Sequence, residues 1–181
     1  AQSRAREFNI PMDHAYDDYE KLLDHEDLDF VDIATAPDVH REQVEAAASH
    51  NLHVLCQKPL APTMEDAKAM VLACEESGVL FSVNENWRWR SWYRELKKLL
   101  EQDIIGRIHY FSMKKRSDIV IPGINGDLPL LATKQPYTVD MDKLIVYEWG
   151  THLIDTTRFL FGEIRSIYAQ MDKVSEHFKG E

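Results

Sequence analysis

The chain has 181 residues, of which 44% are apolar and 29% are charged, and its formal net charge is −10 at pH 7. This composition predicts a globular protein and excludes collagen, a coiled coil and a disordered chain. No apolar run approaches the roughly 20 residues that a membrane span needs, and the acidic balance argues against nucleic acid as a partner.

The first half of the chain alternates short apolar segments with amphipathic ones. The apolar segments at 30–34, 52–56 and 79–83 predict strands, and the stretches that separate them predict helices. Thr63 opens the second of these helices with a capping pattern, and Gly78 ends it. Strands separated by helices of about a dozen residues predict parallel pairing with right-handed crossovers, which is the pattern of a doubly wound sheet.

Polar residues follow each predicted strand, at positions 35–37, 57–59 and 84–86. Ligands of open α/β sheets bind beyond the carboxyl ends of the strands, so these stretches are the first candidates for a functional site. Lys58 is the most informative residue among them, because a cation at a strand end faces the ligand crevice. The alternative is an ordinary surface lysine before a turn proline. The Lys58–Pro59 peptide is also a candidate for the cis form.

The pattern changes after residue 86, where we place a domain boundary. The elements predicted beyond it are a helix at 92–101, a strand at Ile108–Lys114, a long loop at 119–143 and a helix at 147–161. The first of these helices follows Trp87 and Arg88, which would suit stacking on a ring and binding of an anion. Aromatic packing at a domain junction is the alternative for this segment.

Three polar residues share one face of the last predicted helix. Glu148, His152 and Asp155 are spaced by four and three residues, so they lie on neighbouring turns. A carboxylate four residues before a histidine can fix the ring tautomer and raise its basicity, which suits a general base for alcohol oxidation. Two alternatives stay open. In the first, Asp155 pairs with Arg158 and His152 is a core histidine. In the second, the three side chains bind zinc or manganese.

Three segments carry a family resemblance. Residues 30–40 (FVDIATAPDVH) contain a strand and a Pro-x-x-His turn, residues 53–61 (HVLCQKPLA) a Lys-Pro signature, and residues 148–162 (EWGTHLIDTTRFLFG) an acid-x-x-x-His segment. In this order they resemble the glucose-fructose oxidoreductase, inositol dehydrogenase and rhizopine-catabolism (GFO/IDH/MocA) family of nicotinamide-dependent oxidoreductases. Gln57 stands where that family commonly has glutamate, and Glu148 stands where many members have aspartate.

The resemblance implies an α/β fold in two parts. Residues 1–86 would be a partial Rossmann-type parallel sheet with helices, which forms a dinucleotide-binding domain without its glycine-rich first unit. Residues 87–181 would be part of an α+β open mixed-sheet domain for substrate binding and oligomerisation. The sequence contains no Gly-x-Gly-x-x-Gly, so we expect the first βα unit to be missing upstream. It stops at residues 179–181, before most strands of the second domain would be finished, so we expect it to be incomplete at both ends.

The resemblance also implies hydride transfer between NAD or NADP and a hydroxyl or keto group of a sugar, inositol or related polyol. In the implied catalytic set, His152 accepts the hydroxyl proton, Lys58 stabilises the alkoxide, and Glu148 orients or polarises His152. The residues expected on the cofactor side are Thr35, Pro37, His40, Gln57, Lys58, Trp87 and Arg88.

The expected partner is a small sugar or polyol, with no nucleic acid and no membrane, and we expect a homo-oligomer, either a dimer or a tetramer. Cys56 and Cys74 lie in apolar stretches without disulfide spacing, and the first residues lack a signal-peptide pattern. A cytoplasmic location is therefore expected. Two rival functions remain. One is a metal-dependent sugar isomerase or hydrolase that uses Glu148, His152 and Asp155, and the other is a non-catalytic domain of the same fold.

Overall fold

The structure is a computed structural model that describes residues 1–173 and 175–180. The chain divides into two units, Ala1–Asn84 and Glu85–Glu181. None of the helices formed by the described residues is long and apolar enough to cross a membrane.

The first unit contains the predicted parallel sheet. Its strands are β1 (Phe30–Ile33), β2 (His53–Cys56) and β3 (Phe81–Val83), in the order β1-β2-β3. Both pairs are parallel, which confirms the prediction from the alternating pattern. The helices of this unit are α1 (Gln2–Glu7), α2 (Tyr19–His25), α3 (His40–Ser49) and α4 (Met64–Glu76), with short 3-10 segments at Met12–His14 and Pro37–Val39.

Local signals set the ends of these helices. The carboxylate of Asp18 accepts a hydrogen bond from a backbone N–H in the first turn of α2. The hydroxyl of Thr63 accepts one from the backbone N–H of Asp66, at 3.1 Å, and thereby caps α4. Asn51 and Gly78 follow α3 and α4 with φ values of 60° and 69°, a conformation that asparagine tolerates and glycine adopts freely.

The core of the first unit lies between the sheet and the helices α3 and α4. Its buried members are Leu23, Ile33, Val44, Ala47, Ala48, Leu52, Val54, Cys56, Ala61, Met70 and Cys74. Because β2 is the middle strand, its residues Val54 and Cys56 are almost fully enclosed. Both cysteines are free thiols. Burial raises the pKa of Cys56 to about 12, because the thiolate loses its solvation there.

The second unit contains α5 (Ser91–Glu101), α6 (Leu130–Lys134) and α7 (Thr151–Phe161). Shorter turns of helix lie at Trp87–Trp89 and Pro136–Asp140, and a π turn at Val146–Gly150 leads directly into α7. The helix predicted at 147–161 is therefore present, with a widened first turn.

Two predictions for the second unit are wrong. The stretch 119–143 is not a long loop, because α6 lies within it and Leu131 is buried in a small core with Val120, Leu144 and Phe178. Two of its prolines, Pro129 and Pro136, stand just before or at helix starts, where their fixed φ is favourable, so these two do not mark a loop.

The predicted strand at Ile108–Lys114 does not form either. A strand needs a neighbour to satisfy its backbone groups, and no segment of 85–173 or 175–180 pairs with it. The open mixed sheet implied for the second unit is accordingly not present among these residues.

Candidate functional site

A buried histidine contacts both loops that follow β1 and β2. His40 has no exposed surface, and its Nδ1 lies 2.9 Å from the carbonyl oxygen of Leu60. Its Nε2 lies 3.1 Å from the carbonyl oxygen of Thr35. A neutral ring donates from one nitrogen at a time, and a protonated ring donates from both. Both nitrogens thus face protein carbonyls. Pro37, in the short 3-10 segment before α3, is also buried. The places of His40 and Pro37 on the cofactor side stay predictions.

The loop after β2 carries the predicted lysine. The Lys58–Pro59 peptide is cis, as the sequence suggested. The side-chain carbonyl of Gln57 accepts a hydrogen bond from the backbone N–H of Lys58, at 2.8 Å, so this side chain supports the turn itself. At the end of β1, the hydroxyl of Thr35 donates to the side-chain carbonyl of Gln43 at 2.7 Å. The cofactor contacts assigned to these residues stay predictions.

His152 on α7 is the centre of the polar cluster in the second unit. Its Nδ1 lies 2.8 Å from Oε1 and 2.7 Å from Oε2 of Glu85. The same Oε1 accepts a hydrogen bond from the backbone N–H of Trp87 at 2.8 Å. The imidazole also stacks on the indole of Trp87, with ring centroids 4.7 Å apart and an interplanar angle of 7°. One short segment of chain therefore fixes both an edge and a face of the histidine ring.

An ion pair lies one helical turn further along α7. The guanidinium of Arg88 donates from Nε to Oδ2 of Asp155 at 2.8 Å and from Nη2 to Oδ1, so the contact is bidentate. This carboxylate raises the pKa of Arg88. The interpretation that paired Asp155 with Arg158 is wrong, because Arg158 binds Glu163 instead. The spacing of residues along one helix indicates partners on that helix only, and Arg88 lies on another segment.

Glu148 lies in the π turn that precedes α7 and is buried. Burial raises the pKa of Tyr137 to about 12, and the negative charge of Glu148 is the second cause of this shift. A π turn is wider than an α turn, so a residue four positions before His152 is displaced from the α-helical register. The hydrogen bond to Nδ1 of His152 is made by Glu85. The catalytic role of Glu148 stays a prediction.

The metal-site alternative required Glu148, His152 and Asp155 to converge. Throughout the described part of the chain, no group of three or more His, Cys, Asp or Glu side chains is arranged to hold a metal ion. Asp155 is also bound by Arg88, which satisfies both of its oxygens. The geometry gives this alternative no support.

Sequence reasoning missed Glu85 as the partner of His152. A signal was present, because Glu85 lies in the polar stretch 84–86 that follows a strand. That signal marks a position in the chain and gives no information about which distant residue the carboxylate meets.

Comparison with known proteins identifies relatives of both units. A model of the GFO/IDH/MocA oxidoreductase family, described as an NAD-binding Rossmann fold, matches residues 1–85. A model of the GFO/IDH/MocA C-terminal domain matches residues 93–181. The two models together account for nearly the whole chain.

Individual relatives are similar along most of this chain. D-apiose dehydrogenase from Rhizobium rhizogenes is 34% identical over 172 residues, which are 94% of this chain and 46% of the relative. Levoglucosan dehydrogenase from Pseudarthrobacter phenanthrenivorans is 32% identical over 169 residues, which are 93% and 42%. This chain thus spans about half the length of the curated relatives it matches.

A solved structure has the same fold. The crystal structure of an oxidoreductase from Agrobacterium radiobacter, in complex with NAD+, L-tartaric acid and magnesium, superposes with a TM-score of 0.77 at 34% identity. The superposition covers 90% of this chain and 45% of that one.

Proposed function

Because this chain belongs to the GFO/IDH/MocA family of oxidoreductases, we propose that it is part of an enzyme that oxidises or reduces sugars. The reaction is hydride transfer between NAD or NADP and a hydroxyl or keto group of a sugar, inositol or related polyol. The names of the two relatives, both sugar dehydrogenases, support the substrate class. The observation that carries the proposal is the buried His152, which has a carboxylate on Nδ1 and therefore suits a general base.

The residues of this sequence suit part of a dinucleotide site. The three strands are parallel, so their carboxyl ends lie at one edge of the sheet, where dinucleotides bind in doubly wound folds. The sequence has no Gly-x-Gly-x-x-Gly, so its residues fit contacts at the strand ends and do not supply a pyrophosphate cradle. The residues we propose for the cofactor side are Thr35, Pro37, His40, Gln57, Lys58, Trp87 and Arg88.

A bound nicotinamide supplies the acceptor or donor of the hydride. The residues of this chain handle the proton and the charge on the substrate oxygen. During oxidation, His152 accepts the hydroxyl proton at Nε2, since Nδ1 is engaged by Glu85. Lys58 stabilises the negative charge that develops on the same oxygen. Glu148, the third member of the catalytic set, polarises His152.

Residues 1–86 would contribute to the dinucleotide-binding domain and residues 87–181 to the domain for substrate binding and oligomerisation. A homo-oligomer, either a dimer or a tetramer, is supported by the apolar face of α5, where Trp92, Leu96 and Leu99 are exposed. The buried free thiols support a cytoplasmic location. The net charge of −10 supports the absence of nucleic acid and membrane partners.

The test uses the natural gene product that contains this sequence. Turnover of pentoses, hexoses, anhydro sugars and polyols is followed with NAD and with NADP through the absorbance of the reduced nicotinamide. We expect activity with at least one sugar or polyol. We expect Lys58→Ala and His152→Ala each to lower kcat by about a hundredfold or more while cofactor affinity stays within a few-fold.

Lys68→Ala is the matched control, because Lys68 is an exposed lysine on α4. It should leave kcat unchanged. An enzyme that turns over no member of the panel with either cofactor would contradict the proposed function. An unchanged kcat in Lys58→Ala would remove Lys58 from the mechanism.

A further inference from the structure

We infer that Glu85 is the positioning residue of His152. Its carboxylate holds the ring proton on Nδ1 and leaves Nε2 as the proton acceptor. This inference rests on the proposed function, because it assigns Glu85 a task in the same proton transfer. It also concerns a residue 67 positions away in the sequence, on a different element from the histidine.

The hydrogen-bond pattern carries the assignment of the proton. An ionised carboxylate only accepts hydrogen bonds, and both oxygens of Glu85 lie within 2.8 Å of Nδ1 of His152. The neutral ring must therefore carry its proton on Nδ1 to satisfy this contact. Arg88 interacts electrostatically with Glu85, and a nearby cation favours the carboxylate over the carboxylic acid. The lone pair of the ring is thus left on Nε2.

The surroundings of the pair hold this arrangement in place. The side chains of His152 and Glu85 are only 11% and 12% exposed, so water competes little with their hydrogen bond. The backbone N–H of Trp87 donates to Glu85, while the indole of Trp87 lies flat on the imidazole. The segment 85–87 therefore orients the carboxylate and supports the ring at the same time.

The first readout is spectroscopic and needs no substrate. The ring nitrogens of His152 are observed by 15N NMR in the natural gene product, at a pH where the ring is neutral, and assigned by their loss in His152→Gln. We expect a protonated Nδ1 and an unprotonated Nε2 in the wild type. In Glu85→Ala and Glu85→Gln we expect the population of the Nε2–H tautomer to rise, because the obligate acceptor at Nδ1 is gone.

The second readout is kinetic. We expect Glu85→Gln to lower kcat by about tenfold or more while KM stays within a few-fold, because the ring is then held in the wrong tautomer during proton transfer. Glu163→Gln is the matched control, since Glu163 binds the exposed Arg158 and does not contact His152. It should change neither the tautomer nor kcat.

The outcomes separate this inference from the proposed function. An Nε2–H tautomer in the wild type would overturn the inference, as would unchanged tautomer populations in both Glu85 variants. An unchanged kcat in Glu85→Gln, in an enzyme that loses activity with His152→Ala, would also overturn it. A protein with the expected tautomers and no activity on any sugar would retain the positioning role of Glu85 and contradict the dehydrogenase function.

Discussion

Replacing Asp155 with alanine removes the carboxylate that holds Arg88 against α7. The pair is bidentate, and the side chains of Arg88 and Asp155 are 34% and 17% exposed. The guanidinium also lies over the ring of Phe159, at 5.7 Å from its centroid. In Asp155→Ala, Arg88 therefore keeps an apolar neighbour and loses the acceptor of two of its hydrogen bonds.

The expected loss of stability lies between the values for surface and buried pairs. Removing one partner of a fully buried ion pair costs about 3–5 kcal/mol, whereas exposed pairs contribute about 0–1 kcal/mol. About a third of the Arg88 side chain reaches water, which recovers part of its solvation. We therefore expect Asp155→Ala to lower the free energy of unfolding of the second unit by about 2 kcal/mol.

The assay is urea denaturation of the natural gene product, followed by tryptophan fluorescence because Trp87 lies in the affected segment. Glu163→Ala is the control, since it removes a carboxylate from an arginine on the same helix. Arg158 and Glu163 are 48% and 79% exposed, so the midpoint should not move. The double variant Arg88→Met/Asp155→Ala should lose less stability than the two single variants together. Equal midpoints for Asp155→Ala and Glu163→Ala would refute the reasoning.

Two further predictions concern the first unit. His40→Ala removes the ring contact to the carbonyl oxygens of Leu60 and Thr35 and opens a cavity at a fully buried position. The free energy of unfolding, measured by urea denaturation, should therefore fall by about 3 kcal/mol. An unchanged midpoint would show that the His40 contacts contribute nothing. Because the pKa of Cys56 is about 12, the thiol stays protonated at mildly alkaline pH. Iodoacetamide should therefore modify Cys56 only after the protein unfolds, and rapid modification of the native protein, located by mass spectrometry, would contradict its burial.

The sheet of the first unit was predictable because each signal was local. The apolar segments, the cap at Thr63 and the left-handed residues Asn51 and Gly78 all act within a few residues of the element they define. Only the strand lengths differ, since pairing ends where the loops diverge from the sheet.

The second unit was less predictable because its signals depend on distant partners. The alternation at Ile108–Lys114 is typical of a strand, yet a strand forms only where another segment pairs with it. The prolines in 119–143 are typical of loops, and the burial of Leu131 that overrides them comes from residues elsewhere in the unit. The π turn before His152 could not be read from composition, and it alters the spacing on which the role of Glu148 was argued.

The two side-chain pairs of the candidate site align segment 85–88 with α7 in the same way. Glu85 meets His152 and Arg88 meets Asp155, and both pairs join residues 67 positions apart. Along segment 85–88, Glu85 precedes Arg88, so the negative charge comes first. Along α7 the order is reversed, because His152 precedes the negative Asp155. If α7 slipped by one turn to bring Asp155 beside Glu85, two carboxylates would face each other, which costs several kcal/mol at a desolvated contact.

The order of the charged residues therefore favours the observed alignment of α7 with segment 85–88 over the alignment that is shifted by one turn. The Arg88–Asp155 pair lies one turn along α7 from His152, and it fixes the position of the helix on which the histidine stands. This explains why one side chain of Trp-Arg-Trp stacks on the proposed base while the next binds a carboxylate one turn away. The placement of the proposed proton acceptor thus depends on a salt bridge that takes no part in the proposed proton transfer.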